Sequence, residues 1–188
     1  HYRANFQGTG LKAQLAVPSK AIALRYKQCL DEFGVVTSAV VISAPDTREG
    51  HETIDEADVP EVQRFWKEMM ALYGDEKRYV REIKGSFARA DGVELLIVVD
   101  KLLTGFDEPR NTVLYIDKPL REHGLLQAIS RVNRLFEGKP YGYIIDYRGV
   151  LGELNETLNV YDALAGFDAE HVVGTVTDVG AIIRELPQ

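Results

Sequence analysis

The sequence predicts an α/β fold, a parallel sheet with helices on both faces. Three observations lead there. Short aliphatic or β-branched runs (LKAQLAV, VVTSAVVIS, ELLIVV, TVLYI, YGYIID) recur along the chain, each of strand length. Segments of helical periodicity separate most of them, the spacing of β-α-β units. Runs such as ELLIVV are apolar throughout, as in strands covered on both sides. Crossovers in such a sheet are right-handed, and ligands are expected at the carboxyl ends of the strands.

Leu11–Val17, the first element, is short, partly alternating and closed by Pro18-Ser19, and reads as a strand. Ser19 is a good helix cap. The helix from Lys20 to Phe33 carries Ile22, Tyr26, Cys29, Leu30 and Phe33 on one face, and Gly34 stops it. Val35–Ser43 reads as a strand buried on both faces, and Pro45–Asp58 as an exposed acidic loop. Val59–Tyr73 is helical, with Val62, Trp66, Met69, Met70 and Tyr73 on one side as core. A second helix, weakened by Gly85, covers Asp75–Arg89. Glu94–Val99 is the most apolar strand. Strands at Thr112–Ile116 and Tyr141–Asp146 come next, with the helix Leu125–Phe136 between them. A last helix runs from Gly149 to Ala165, before a weakly defined tail.

Length and composition bound the rest. With 188 residues, 45% hydrophobic and 27% charged, the chain can fill one domain plus an appendage. The expected division is a leader or linker at 1–10, one domain at 11–150 with an insertion at 44–90, and a helical extension at 151–188. No apolar run approaches the roughly 20 residues of a membrane span, and no signal pattern opens the chain. Cys29, the sole cysteine, forms no internal disulfide and is expected to be a small buried hydrophobe. The four histidines are scattered, so no metal ligand is expected. A net charge of −7 argues against a generic polycation but leaves room for a local basic groove.

No GxxxxGK[ST] loop, GxGxxG turn or GxSxG elbow is present. A self-sufficient nucleotide hydrolase or dehydrogenase is therefore not expected. Two stretches do carry chemistry. In LLQAISRVNRLF, at about 100° per residue, Leu125, Ile129, Val132 and Phe136 form one stripe. Gln127, Arg131 and Arg134 form the opposite one. Arginine's fixed, permanently charged donor fork suits phosphate oxygens, although a solvated basic face has the same pattern. The second stretch, Thr104-Gly105-Phe106-Asp107-Glu108-Pro109, comes after the ELLIVV strand. Gly105 allows close backbone approach, Thr104 offers a hydroxyl, and Asp107 can hold a ribose or orient an arginine.

In sequence, this loop and the QxxxRxxR helix resemble motifs V and VI of superfamily 2 helicases, in the second RecA-like lobe. VVDKLLTGFDEP, QAISRVNR and YGYIIDYRG resemble more closely that lobe in the R (restriction) subunit of type I restriction enzymes. KAQLAVPSKAIALRY resembles its opening around motif IV. Ser130 stands where many helicases have Gly.

The resemblance implies a RecA-like helicase C-terminal domain within an ATP-dependent translocase of double-stranded DNA. Arg134 would be an arginine finger, Arg131 would contact the γ-phosphate, and Gln127 would help sense it. Asp107 would touch ribose or the fingers, with Gly105 beside the nucleotide as well. Thr104, Gly105 and Lys101 would lie toward nucleic acid. ATP with Mg2+ would be held mainly by a preceding lobe, and modification and specificity subunits would be further partners, in a prokaryotic cytoplasm with no membrane. Another superfamily 2 motor and a stand-alone α/β scaffold are the alternatives. Lys20, Arg25, Arg110 and Lys118 are candidate backbone-phosphate contacts. Asp146 ends a strand, where it can serve a site or cap the next helix.

Overall fold

The computed structural model describes residues 1–45, 60–99, 101–103, 106–120, 122–150 and 176–177. Most of the acidic loop, all but the first two residues of the helix expected at 149–165, and the residues Thr104 and Gly105 lie outside the described residues. The elements are α1 (Tyr2–Asn5), β1 (Lys12–Ala16), α2 (Lys20–Phe33), β2 (Ser38–Val41), α3 (Pro60–Tyr73) and α4 (Glu76–Ala88). They continue as β3 (Leu95–Val98), β4 (Asn111–Ile116), α5 (Glu122–Val132), β5 (Tyr143–Asp146) and β6 (Val176–Thr177).

The strands form one sheet in the order β2-β3-β1-β4-β5-β6, and every pairing is parallel. This is the α/β parallel-sheet architecture the sequence predicts. β1 is central, with β3 and β4 on its two sides, so the winding reverses there. At the start of the β1–β4 ladder the register slips: Lys12 faces Asn111 but Ala13 faces Val113.

Alternation along the strands sorts the core into two layers. Ala16, Val41, Leu96, Val98, Leu114 and Ile116 meet Tyr79, Ile83 and Phe87 of α4 and Leu125, Ala128 and Val132 of α5. Ala13, Leu15, Val40, Ile97, Val113 and Ile145 meet α1, the buried Ala23 of α2 and Val62 of α3. α3 reaches both layers, for Met69, Met70 and Tyr73 pack with the first. The opening residues take part as well, because Tyr2 and Phe6 are buried and the Tyr2 hydroxyl donates to the Leu11 carbonyl at 2.6 Å.

Local signals set the helix ends. Ser19 Oγ accepts from the Ile22 amide at 3.2 Å, and Asp75 Oδ1 accepts from the Arg78 amide at 2.8 Å. Gly34 closes α2 in the left-handed conformation, at φ 61°.

Several expectations need correction. Cys29 is exposed and Phe33 is 76% exposed. The buried face of α2 is centred nearer Ala23, roughly 100° around the helix from Ile22. β2 is shorter than Val35–Ser43 and is an edge strand. β1 is buried at every position, its polar residues included. α5 ends at Val132, so Arg134 and Phe136 are not on its faces. Phe136 packs into the opposite layer.

Candidate functional site

α5 holds its place through Leu125, Ala128 and Val132, each about 1% exposed. That seating turns Gln127 and Leu126 outward and leaves Arg131 half-buried. The end of the helix is set by a close approach of backbone. A side chain at Gly142 would put its Cβ 2.4 Å from the Val132 carbonyl oxygen. Only glycine lets the chain pass here on its way into β5. Asn133 completes the stop, its Oδ1 accepting from the Gly142 amide at 3.2 Å.

Beyond that stop, Arg134 Nε lies 3.5 Å from Asp107 Oδ1, and both side chains are about half exposed. The structure thus joins the two stretches singled out in the sequence. Gln127 and Arg131 stand one turn apart on α5. Arg131 Nε is buried and has no hydrogen-bond partner, an arrangement whose cost calls for an explanation.

The edge of the sheet on which this occurs differs from the expectation. Asp107 lies just before β4, and the helix after β4 runs back along it. The tail of α5 therefore returns to the amino-terminal edge, not the carboxyl edge. Around the pair, the Arg110 guanidinium lies 4.6 Å from the centre of the Phe136 ring. Lys139, 3% exposed, donates to the carbonyls of Pro109 at 2.9 Å and Asn111 at 2.6 Å. Burial pushes its amine down to about 8, partly opposed by the charge of Glu108. Lys12 on the same edge is lowered too, chiefly by burial, and donates to the carbonyls of Ala90 and Gly92.

The other candidates lie elsewhere. Lys101 pairs with Glu76 at the start of α4. At the carboxyl edge, Lys118 donates to the Val99 carbonyl at 2.7 Å and Lys20 to the Ala44 carbonyl at 3.2 Å. Both are nearly buried, so they brace loops. Arg25 is exposed. Asp146 Oδ1 accepts from the amides of Arg148 and Gly149, closing the turn after β5. Thr104 and Gly105 lie outside the described residues. Among the described residues, no group of three or more His, Cys, Asp or Glu side chains could hold a metal ion. No helix there is long and apolar enough to cross a membrane. Sequence reasoning did not single out Lys139, Gln14 or Asn111. The signal for Gln14 was a polar residue inside β1, which becomes informative once β1 is known to be central.

Residues 10–149 match the family described as type I restriction enzyme subunit R, domain 3. A protein named as the endonuclease subunit of type I restriction enzyme MjaIXP, from Methanocaldococcus jannaschii, is 32% identical over 99% of this chain and 16% of its own length. The corresponding MjaVIIP protein of that organism is 48% identical over 44% of this chain and 8% of its own length. The HindI endonuclease subunit of Haemophilus influenzae is 35% identical over 58% of this chain and 10% of its own length. The chain thus spans at most about a sixth of these relatives.

Proposed function

The chain belongs to the family of type I restriction enzyme subunit R, domain 3, and on that premise we propose that it is the second motor lobe of an ATP-dependent double-stranded DNA translocase. The observation that carries this reading is the meeting of Asp107 and Arg134, three residues after the half-buried Arg131. A phosphate fits that arrangement. One guanidinium nitrogen is already desolvated and unpartnered. The other arginine is held by an exposed ion pair, which typically contributes under ~1 kcal/mol and is exchanged at little cost.

In this reading Arg134 is the arginine finger, Arg131 meets the γ-phosphate, and Gln127 reports its presence. Asp107 parks the finger or touches ribose, with Gly105 nearby. Thr104, Gly105 and Lys101 face DNA, Lys101 on release from Glu76. ATP and Mg2+ are bound mainly by a preceding RecA-like lobe of the parent chain, and modification and specificity subunits complete the enzyme. This chain's own contribution is to place guanidinium donors where charge develops in phosphoryl transfer. Fingers of this kind contribute about 10³–10⁵ in rate. Family membership favours this reading over another superfamily 2 motor or a scaffold.

The test is ATP turnover by the whole parent subunit with duplex DNA, comparing wild type with Arg131→Ala and Arg134→Ala. Arg134→Ala is expected to lose about 10³-fold or more in kcat. Full DNA-stimulated turnover in both variants, with normal folding, would sink the assignment.

A further inference from the structure

The middle of the sheet contains a line of polar side chains that neither folding nor the arginine pair requires. Gln14 Nε2 donates to the Leu102 carbonyl at 2.9 Å, and its Oε1 accepts from Asn111 Nδ2 at 3.0 Å. Lys139 Nζ then donates to the Asn111 carbonyl at 2.6 Å and the Pro109 carbonyl at 2.9 Å. Gln14, Asn111 and Lys139 are 1%, 2% and 3% exposed. Burying an amide or amine this deeply costs free energy that hydrogen bonds only partly recover. Here the recovery is incomplete, since Asn111 Oδ1 has no partner. Apolar residues of similar volume would fill the same space at less cost. The register slip beside Asn111 is the kind of irregularity that re-aims a side chain.

The two ends of the line are informative. One is Leu102, the only non-glycine residue with positive φ among the described residues, at 67°, a conformation costing a leucine about 1–3 kcal/mol. Gln14 holds its carbonyl. The other end is the Arg134–Lys139 turn. It is tied to the Asp107–Asn111 segment by Lys139, by Arg110 over Phe136, and by Arg134 with Asp107.

We propose that Gln14, Asn111 and Lys139 form a buried relay of positioning residues that sets the Arg134 turn against the turn at Leu102, two residues before Thr104. The proposal rests on the motor reading above. The relay touches no substrate. It acts by fixing where the finger stands relative to the loop assigned to DNA, so a shift at one end is felt at the other. Such coupling is a claim about interaction free energy, and a double-mutant cycle measures it.

The experiment uses the whole parent subunit with duplex DNA and compares Gln14→Leu, Lys139→Met, their combination, Leu102→Gly and Arg134→Ala. Thermal unfolding of each is measured alongside kcat and KM for ATP. A misplaced finger lowers kcat and leaves KM unchanged. Each single relay variant is expected to lose at least about tenfold in kcat at constant KM. The double variant is expected to be no worse than the poorer single, although no hydrogen bond joins Lys139 to Gln14. Leu102→Gly relaxes the strained turn and leaves the side chains of the relay in place, although it removes a leucine that packs on the first core layer. It serves where the core variants fail to fold, and is expected to lose kcat per folded molecule. Multiplying effects in the double variant overturn the relay. So do stability losses with kcat per folded molecule unchanged, or an unaffected kcat in Leu102→Gly. If Arg134→Ala itself keeps full turnover, the motor reading fails, and the relay with it.

Discussion

Replacing Gly142 by alanine tests whether the end of α5, and with it the arginine site, is set by contact between backbones. An added Cβ would lie 2.4 Å from the Val132 carbonyl oxygen, 2.6 Å from its carbon and 3.0 Å from the Asn133 nitrogen. Comfortable contact needs about 3.5 Å, so the two segments must part by about 1 Å. None of these atoms can swing aside, because all belong to the main chain. Overpacking of this kind costs about 1–3 kcal/mol. Parting the segments also breaks the bond from the Gly142 amide to Asn133 Oδ1, for about 1 kcal/mol more. In a chain of this size each kcal/mol lowers Tm by about 2–4 °C, so the expected fall is on the order of 4–16 °C. The assay is thermal unfolding monitored by far-ultraviolet circular dichroism. Gly85→Ala is the control: it lies inside α4, and its Cβ would meet nothing within 4 Å. That change is expected to stabilise by roughly 0.5–1 kcal/mol. A Gly142→Ala protein that melts at or above the wild-type temperature would refute the contact.

Three more outcomes are expected. Ser19→Ala removes the acceptor for the Ile22 amide and should cost about 0.5–2 kcal/mol in urea unfolding; an unchanged midpoint would mean the cap contributes nothing. Lys139, at about 8 against an ordinary 10.5, gives a signed pH dependence. Between those values the unfolded chain binds the proton and the folded chain does not, so folding stability from this group rises with pH across the window and is flat below it. The stability of wild type relative to Lys139→Met, measured by denaturant unfolding in steps of pH, should therefore climb above about pH 8; a constant difference would contradict the buried placement. Finally, the 188-residue chain alone is expected to hydrolyse ATP negligibly, lacking a phosphate-binding loop. Robust turnover lost on Arg134→Ala would show that it carries a complete site.

Much of the architecture was legible because the signals are local. Ser19 and Gly34 bracket α2, which spans Lys20–Phe33 as expected. The apolar run at 94–99 became an interior strand. The stripe of Leu125, Ile129 and Val132 became the buried face of α5. That Asp107 would touch ribose or the fingers came from the family resemblance, and the structure puts it against Arg134. Where a pattern was extended past its cause, it failed. Helical periodicity was carried through to Phe136, but the helix stops at Val132 because Gly142, ten residues further on, abuts its last carbonyl.

The sequence by itself determined the fold class and the family that its two motif stretches resemble. Periodicity, caps and motif spacing are properties of neighbouring residues. Only the tertiary structure decided which strand is central, and with it the meaning of Lys12 and Gln14: in β1 both are buried, Lys12 on the Ala90 and Gly92 carbonyls and Gln14 on the Leu102 carbonyl. It also decided that Cys29 faces out, that Lys118 and Lys20 brace loops, and that the arginines stand at the amino-terminal edge. Strand order and edge are set by contacts between residues up to about a hundred positions apart, such as Asn111 with Gln14, and no local pattern encodes them.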